Sequence, residues 1–141
     1  MMSRTKRLGS AVLCMVPLLM ATSGPAVIEA QLVCSFARAI ECASDLTCEP
    51  PVSDRTPATF LHVDLDQKAV TLLAPEERRG EVTAITGMQQ LDDRVVLSGI
   101  ERDRAWSAVI LEDGTMSVTI AADGSGFVVF GQCMPADHST P

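Results

Sequence analysis

The stretch AWSAVILEDGTMSVTIA, residues 105–121, decides the fold class of the chain. Two runs rich in apolar residues, 105–111 and 115–121, flank the dipeptide Asp113-Gly114. Asp-Gly between two such runs is the strongest short-range signal of a β-hairpin, because glycine tolerates the positive φ of the tight turn. In the second run apolar and hydroxyl side chains alternate, which gives a strand one buried and one wet face. The stretch therefore predicts two antiparallel strands of a half-buried sheet.

Short apolar runs continue on both sides of this hairpin, and a turn signal follows each of them. The spacing from one run to the next is about 8–14 residues, which is typical of all-β proteins. The further runs are residues 58–65, 69–73, 81–88, 94–100 and 127–131. We therefore expect an all-β fold, an antiparallel meander of about seven strands that forms a sandwich or an up-and-down barrel.

Composition and charge narrow the class of protein further. Hydrophobic residues make up 47% of the 141 residues and aromatic residues only 4%, which supplies one core for a single domain. The charged runs at residues 76–79 and 101–104 are typical of solvated turns. The net charge is −7, whereas binding to nucleic-acid phosphates requires clustered Lys and Arg. An electrostatic nucleic-acid binder is therefore excluded.

The first 30 residues have the layout of a secretory signal peptide. Arg4, Lys6 and Arg7 form a basic start, residues 8–20 form an apolar run, and small residues follow. An apolar run of about 13 residues is too short for a membrane-spanning helix, which needs about 20. We therefore expect a periplasmic or secreted protein without a membrane span.

Two cleavage sites fit this signal peptide, one after Ala26 and one after Ala30. We favour Ala30, because the helix-breaking Gly24-Pro25 pair then lies a few residues upstream. Cleavage there removes three of the 11 basic and one of the 18 acidic residues, so the net charge changes from −7 to −9. The expected segments are the signal peptide (1–30), a disulfide-rich N-terminal segment (31–57), the antiparallel β domain (58–133) and a flexible tail (134–141).

Four cysteines remain after export, because Cys14 lies in the signal peptide. An even number of cysteines in a small exported domain predicts two disulfides. We favour Cys42–Cys48, which closes a short polar loop; Cys34–Cys133 then joins the start of the fold to its end. The alternative pairing, Cys34–Cys48 with Cys42–Cys133, stays open because loop-closure entropy ranks it no lower. No C-x2-C pair occurs, so no zinc site is expected.

The sequence contains no recognisable catalytic, cofactor-binding or metal-binding motif, and we expect no residue of these kinds. It has no G-x-S-x-G, H-E-x-x-H or glycine-rich phosphate loop. Asp64-x-Asp66 is explained by a hairpin turn, and His62 has no nucleophile partner, so we expect it on the surface. Trp106, the single tryptophan, is expected in the core; the sharper alternative is a binding anchor, because tryptophan is enriched in binding hot spots.

Two functional hypotheses follow from these features. A signal peptide, a small meandering β-fold and cysteines near both ends form a layout similar to that of small periplasmic inhibitor and binding proteins, lysozyme inhibitors among them. None of their recognition motifs occurs here, so no site is carried over. The first hypothesis is a non-catalytic binding or inhibitor module of the cell envelope, for which the acidic charge favours a basic protein as partner. The alternative is a carrier of a small apolar ligand inside a hollow barrel.

Overall fold

The computed structural model of the protein describes residues 28–51 and 59–136. The strands in these ranges are β1 (Gln31–Ala43), β2 (Cys48–Glu49), β3 (Phe60–Asp64), β4 (Ala69–Ala74), β5 (Val82–Gln90), β6 (Arg94–Glu101), β7 (Arg104–Leu111), β8 (Thr115–Ala122) and β9 (Ser125–Pro135). A single turn of 3-10 helix, Glu76–Arg78, joins β4 to β5. The expected signal peptide up to residue 27 and the tail beyond residue 136 lie outside the described residues.

Eight of the strands form a closed antiparallel barrel. Each strand from β3 to β8 pairs with the next one along the chain, and β1 pairs with both β3 and β9. The β1–β9 pairing closes the ring, while β2 is a two-residue strand that lies outside it beside β1. The expectation of an all-β antiparallel meander is therefore confirmed, in the form of a barrel.

β1 is the barrel strand that the sequence pattern did not predict. The segment 31–57 was expected to precede the β domain, whereas the structure places its strand Gln31–Ala43 in the barrel wall. The register against β9 shifts at a β-bulge between Phe36 and Arg38, and a bulge interrupts the period-2 alternation of a strand. Phe36 and Ala39 therefore both pack against the core. They are three residues apart, a spacing that in a sequence is typical of one face of a helix rather than of a strand.

The two ends of the barrel are filled differently. We call the end that carries the β3–β4, β5–β6 and β7–β8 turns the packed end, because large apolar side chains fill its interior. Its buried residues include Leu32, Val63, Leu65, Val95, Ile110 and Met116. We call the opposite end, with the β4–β5, β6–β7 and β8–β9 connections, the mouth end, because several of its inward-facing apolar residues are only partly buried. They include Phe36, Ala39, Leu61, Trp106 and Ile120.

Each end of the barrel carries one disulfide. At the packed end Cys34 and Cys133 are cross-strand neighbours in the β1–β9 pair, with an S–S distance of 2.09 Å. At the mouth end Cys42 and Cys48 join β1 to β2, with an S–S distance of 2.06 Å. The expected disulfide bonds are confirmed, and the structure has the pairing that joins the start of the fold to its end. The Cys34–Cys133 bridge thus fastens the two strands whose pairing closes the barrel.

The Asp113-Gly114 turn joins β7 to β8, as the sequence predicts. Gly114 has a φ of +84°, and a Cβ added there would clash with the carbonyl oxygen of Cys133. Asp113 Oδ1 accepts a hydrogen bond from the backbone N–H of Thr115 at 2.8 Å. This bond holds the pKa of Asp113 below its usual range. The turn therefore needs glycine both for its backbone conformation and for the space beside β9.

Candidate functional site

The interior of the barrel is hollow toward the mouth end. A cavity of about 400 Å³ lies there, walled by inward-facing side chains of the strands. Its apolar wall includes Phe36, Leu61, Leu72, Ala108, Ile120 and Phe127. The interior of an eight-stranded barrel is either filled by side chains or holds one small ligand. This barrel combines the two arrangements, because side chains fill the packed end and leave space at the mouth end.

Small inward-facing residues keep the mouth half of the interior open. Ala39 on β1, Gly99 on β6 and Ala108 on β7 take inward positions, whereas the packed end has the larger cross-strand pair Val95 and Ile110 on the same two strands β6 and β7. Few aromatic side chains are present to reach across the gap, since they make up only 4% of the chain. A void leaves its wall without dispersion contacts. An apolar molecule that fills the cavity would supply them.

Trp106 lies on the wall of this cavity, facing the interior from β7. Its cross-strand neighbour is Gly99, where an added Cβ would lie 2.6 Å from Trp106 Cζ2 and 2.6 Å from the carbonyl oxygen of Ala84. Gly99 therefore lets the indole ring lie flat against β6. Among the described residues, Trp106 Nε1 is the one buried side-chain nitrogen or oxygen without a hydrogen-bond partner. A buried donor without a partner destabilises the fold by about 1–3 kcal/mol, so an acceptor beside it would be stabilising.

Charged residues line the mouth end of the cavity, and we call Arg78, Glu81, Glu101 and Arg104 the rim. Arg78 Nη2 donates to Glu81 Oε2 at 2.6 Å and to Glu101 Oε1 at 2.6 Å. The hydrogen bond from Arg78 holds the pKa of Glu81 below its usual range. The side chains of Arg78 and Glu81 are 40% and 39% exposed, so the rim lies at the boundary between the cavity and water.

Arg104 is the rim residue that these ion pairs leave out. It lies directly opposite Glu101 across the β6–β7 pair, yet the Glu101 carboxylate accepts its hydrogen bond from Arg78. Arg104 is half-buried and lines the cavity. Within residues 28–51 and 59–136 its side chain makes no hydrogen bond and no ion pair. Its guanidinium therefore has donors left for another acceptor.

A second concave surface, on the outside of the barrel, has no comparable polar groups. This shallow groove of about 450 Å³ crosses β7, β8 and β9. Small outward-facing residues line it, among them Ala105, Ala121 and Gly126. The hydroxyls of Ser107 and Thr119 in the groove bond to each other at 3.0 Å. With no charged side chain along it, the groove is a weaker candidate site than the cavity.

The other residues considered from the sequence lie away from the cavity. His62 is half-buried on β3, where it pairs with Val33 and Thr71. Asp64 Oδ1 accepts from the backbone N–H of Gln67 at 2.8 Å, as expected for a turn. In the part of the chain that the structure describes, no three His, Cys, Asp or Glu side chains converge as metal ligands. The same part has no helix long and apolar enough to cross a membrane.

Sequence reasoning interpreted the rim residues as solvated turn charges, although one signal for an inward-facing residue was present. The runs 76–79 and 101–104 are as rich in charge as solvated turns. From composition alone, a residue in them that faces the barrel interior therefore looks the same as one that faces water. Period-2 alternation along β7, however, gives Arg104 the same parity as Trp106 and Ala108. Residues of one parity lie on one face of a strand. An arginine on the apolar face of a strand is the feature that distinguishes Arg104 from an ordinary turn residue.

The chain matches no protein-family model, no curated protein and no solved structure. The class that the fold and the site define is a small, disulfide-bonded β-barrel with an internal cavity. The features that bear on its function are the cavity, the rim and the surface charge.

Proposed function

We propose that the protein binds a small, mainly apolar molecule inside the barrel. The observation that carries this proposal is the cavity of about 400 Å³ with its apolar wall. Ligand sites in proteins are typically clefts of about 300–1,000 Å³ with apolar walls and a few polar groups. Here the polar groups are the rim and the unpartnered indole N–H of Trp106.

Physical chemistry favours an occupied cavity over an empty one. Apolar surface removed from water contributes about 25 cal/mol per Å², and both the ligand and the cavity wall lose such surface on binding. The ligand also restores dispersion contacts that the wall lacks. The small residues Ala39 and Ala108 leave the room for these contacts. A ligand with one acceptor near Trp106 gains a hydrogen bond in addition.

Titration of the purified protein with decanol, a neutral straight-chain alcohol, tests this proposal. Trp106 is the only tryptophan of the chain and lies on the cavity wall, so its fluorescence reports directly on binding. We expect a saturable change in emission for the wild-type protein. Absence of a saturable change would contradict binding of straight-chain ligands in the cavity.

A pair of alanine substitutions on β7 locates the binding. Ala108 is 6% exposed and lines the cavity, whereas Ala105 is exposed on the outer face of the same strand. Ala108→Leu fills the middle of the cavity and should abolish decanol binding. Ala105→Leu adds the same atoms outside the barrel and should leave binding unchanged. Equal affinities for the two variants would contradict a site in the cavity, and weaker binding by Ala105→Leu alone would place the decanol in the outer groove, which Ala105 lines.

We propose that the protein acts in the periplasm or outside the cell, after removal of its first residues. The signal-peptide layout and the two disulfides support export. The two cleavage sites differ in the contacts that each one would remove. Ile28 packs against the core, and the carbonyl oxygen of Ala30 accepts from the N–H of Leu65 at 2.8 Å. Cleavage after Ala26 preserves both contacts, whereas cleavage after Ala30, which the sequence favours, removes both.

N-terminal sequencing of the exported protein decides between these sites. A product that begins at Val27 preserves the contacts of Ile28, and a product that begins at Gln31 follows the sequence preference. An intact Met1 on the exported, folded protein would contradict the signal peptide.

A second candidate function is the binding or inhibition of a basic protein through the packed end. Asp92 lies in the β5–β6 turn beside Asp93, whose carboxylate pairs with Arg94, and Glu112 and Asp113 lie in the β7–β8 turn. The N–H of Glu112 donates to the carbonyl oxygen of Asp93 at 2.9 Å, which holds the two acidic turns together. Exposed Leu91 beside them offers an apolar contact. Charge of one sign on a surface speeds encounter with a partner of the opposite sign.

A pull-down from periplasmic extract tests this second candidate. We expect a basic protein to be captured at low salt and to be lost progressively toward physiological salt, because screening weakens exposed charges. Ala108→Leu should capture it as well as the wild type, since the cavity is not involved. Capture that does not change with salt, or that fails with Ala108→Leu, would contradict binding through the acidic turns.

A further inference from the structure

We infer that the ligand of the cavity is an amphipathic anion, whose head is held by Arg104 and whose apolar body fills the barrel. This inference rests on the proposed function and names the chemical class of the ligand. It combines three features of the cavity: the orientation of Arg104, the pairing of the other rim charges, and the apolar depth of the cavity beneath them.

The position of Arg104 on β7 directs it toward the interior. It is two residues before Trp106 and four before Ala108, and all three line the cavity. Residues of one parity in a strand face the same side and follow one another at about 7 Å. Arg104 and the indole of Trp106 are thus successive donors along one line into the barrel. A guanidinium is a cation that carries only hydrogen-bond donors, so its preferred partner is an anion.

Both rim carboxylates bond to arginines other than Arg104. Arg78 bonds to Glu81 and to Glu101, both at 2.6 Å. Arg102 lies with its Nη2 3.7 Å from Glu81 Oε1. Both carboxylates of the rim are therefore engaged by other arginines, although Glu101 is the cross-strand neighbour of Arg104. The arrangement leaves one arginine of the rim available to a carboxylate brought by a ligand.

The remaining wall of the cavity sets the character of the rest of the ligand. Beyond Arg104 and Trp106 the β7 side of the cavity consists of Ala108 and Ile110, and Met116 lies opposite on β8. These side chains offer no hydrogen-bonding group to a second polar head. A single anionic head at the rim with an unbranched apolar body directed toward the packed end matches this distribution. Hydrogen bonds between a guanidinium and a carboxylate are roughly twice as strong as neutral ones.

A matched pair of ligands tests the inference: decanoate and decanol, which have the same chain length but different heads. The affinities are compared for the wild type, Arg104→Gln and Arg79→Gln, with Trp106 fluorescence as the readout. Arg79 is the control, because its side chain is 64% exposed and it pairs with Glu76 rather than lining the cavity. We expect Arg104→Gln to weaken decanoate binding about tenfold and to leave decanol binding unchanged. Arg79→Gln should change neither affinity.

Each outcome separates the inference from the proposed function. If the wild type binds neither ligand, the proposed function is contradicted for straight-chain molecules. If it binds both and Arg104→Gln weakens both equally or neither, the anionic head is contradicted while the cavity site stands. Unchanged decanol affinity in Arg104→Gln also demonstrates that the variant is folded. Should that variant not fold, Arg104→Lys keeps the charge, and we expect its decanoate affinity to fall with added salt while its decanol affinity does not.

Discussion

The packed end and the mouth end are built from the same strands of one barrel, yet they differ in what faces inward. At the packed end the inward positions carry branched and long apolar residues such as Leu32, Val95 and Met116, all nearly inaccessible to water. At the mouth end they carry Ala39 and Ala108, followed by charged residues at the rim. The comparison teaches that strand alternation alone does not make a core. The volume of the inward side chains decides whether a barrel segment is solid or hollow.

The largest expected difference between the ends concerns their disulfides. Cys34–Cys133 spans 99 residues and Cys42–Cys48 spans 6. Loop-closure entropy assigns about 4.7 kcal/mol to a loop of about 100 residues and about 2.4 kcal/mol to one of about 7. We expect Cys34→Ala/Cys133→Ala to lower the free energy of unfolding by about twice as much as Cys42→Ala/Cys48→Ala. Denaturant unfolding of the two variants checks this, and equal losses would contradict the dominance of the packed end.

A matched pair of leucines sharpens the comparison within the apolar interior. Leu32 is 4% exposed at the packed end, and Leu61 on the adjacent strand is half-buried on the cavity wall. Truncation of a leucine in a solid core costs about 2–5 kcal/mol. We expect Leu32→Ala to fall in this range and Leu61→Ala to cost less than about 2 kcal/mol, because part of its surface already adjoins empty space. Reversal of this order in thermal or denaturant unfolding would mean that the mouth end is the better packed of the two.

A substitution in the rim is expected to change the affinity for decanoate rather than the stability of the fold. Arg78→Gln releases Glu101, whose cross-strand neighbour in the β6–β7 pair is the cation Arg104. The two should then pair, so we expect decanoate to bind about fivefold more weakly, which corresponds to about 1 kcal/mol. The double variant Arg78→Gln/Glu101→Gln removes the competitor and should restore the affinity. Persistent weak binding in the double variant would indicate that Arg78 itself contacts the ligand.

The smallest expected effect concerns the turns at the two ends in acid. The hydrogen bond from the Thr115 N–H lowers the pKa of Asp113 at the packed end. A carboxyl whose pKa is lower in the folded state than in the unfolded state stabilises the fold at pH values above its unfolded pKa. This stabilisation is lost as the pH falls through the folded pKa. Unfolding measured from about pH 5 down to about pH 2 should therefore vary slightly less with pH in Asp113→Asn. Asp123→Asn, in the β8–β9 turn at the mouth end, is the control and should follow the wild type.

The sequence was sufficient for those parts of the fold that local pattern controls. Short apolar runs separated by turn signals predicted the strands from β3 to β9, and the positive φ required after Asp113 predicted the β7–β8 turn. β1 was not predicted, because the bulge between Phe36 and Arg38 interrupts the alternation of its side chains. The pairing of β1 with both β3 and β9 depends on contacts between residues far apart in the chain, which no local pattern encodes.

The candidate site was less predictable than the fold, for a related reason. A cavity depends on the combined volume of inward side chains from all eight strands, and the sequence does not show which small residues face one another. Trp106 was recognised as a core or anchor residue, but its position over Gly99 required the β6–β7 register. The separation of Arg104 from Glu101 required Arg78, which is more than 20 residues away along the chain.

The bridge between Cys34 and Cys133 turns most of the barrel into a covalent ring. Residues 34–133 form one closed loop of backbone and disulfide, in which β3 to β8 lie entirely. A single proteolytic cut in an exposed connection such as Arg102-Asp103 would open this ring without releasing a fragment. The two pieces would stay one molecule until a reductant separates them. The connections at the mouth end can therefore change in sequence or be cleaved. The strands on both sides of a cut remain joined by the disulfide at the packed end.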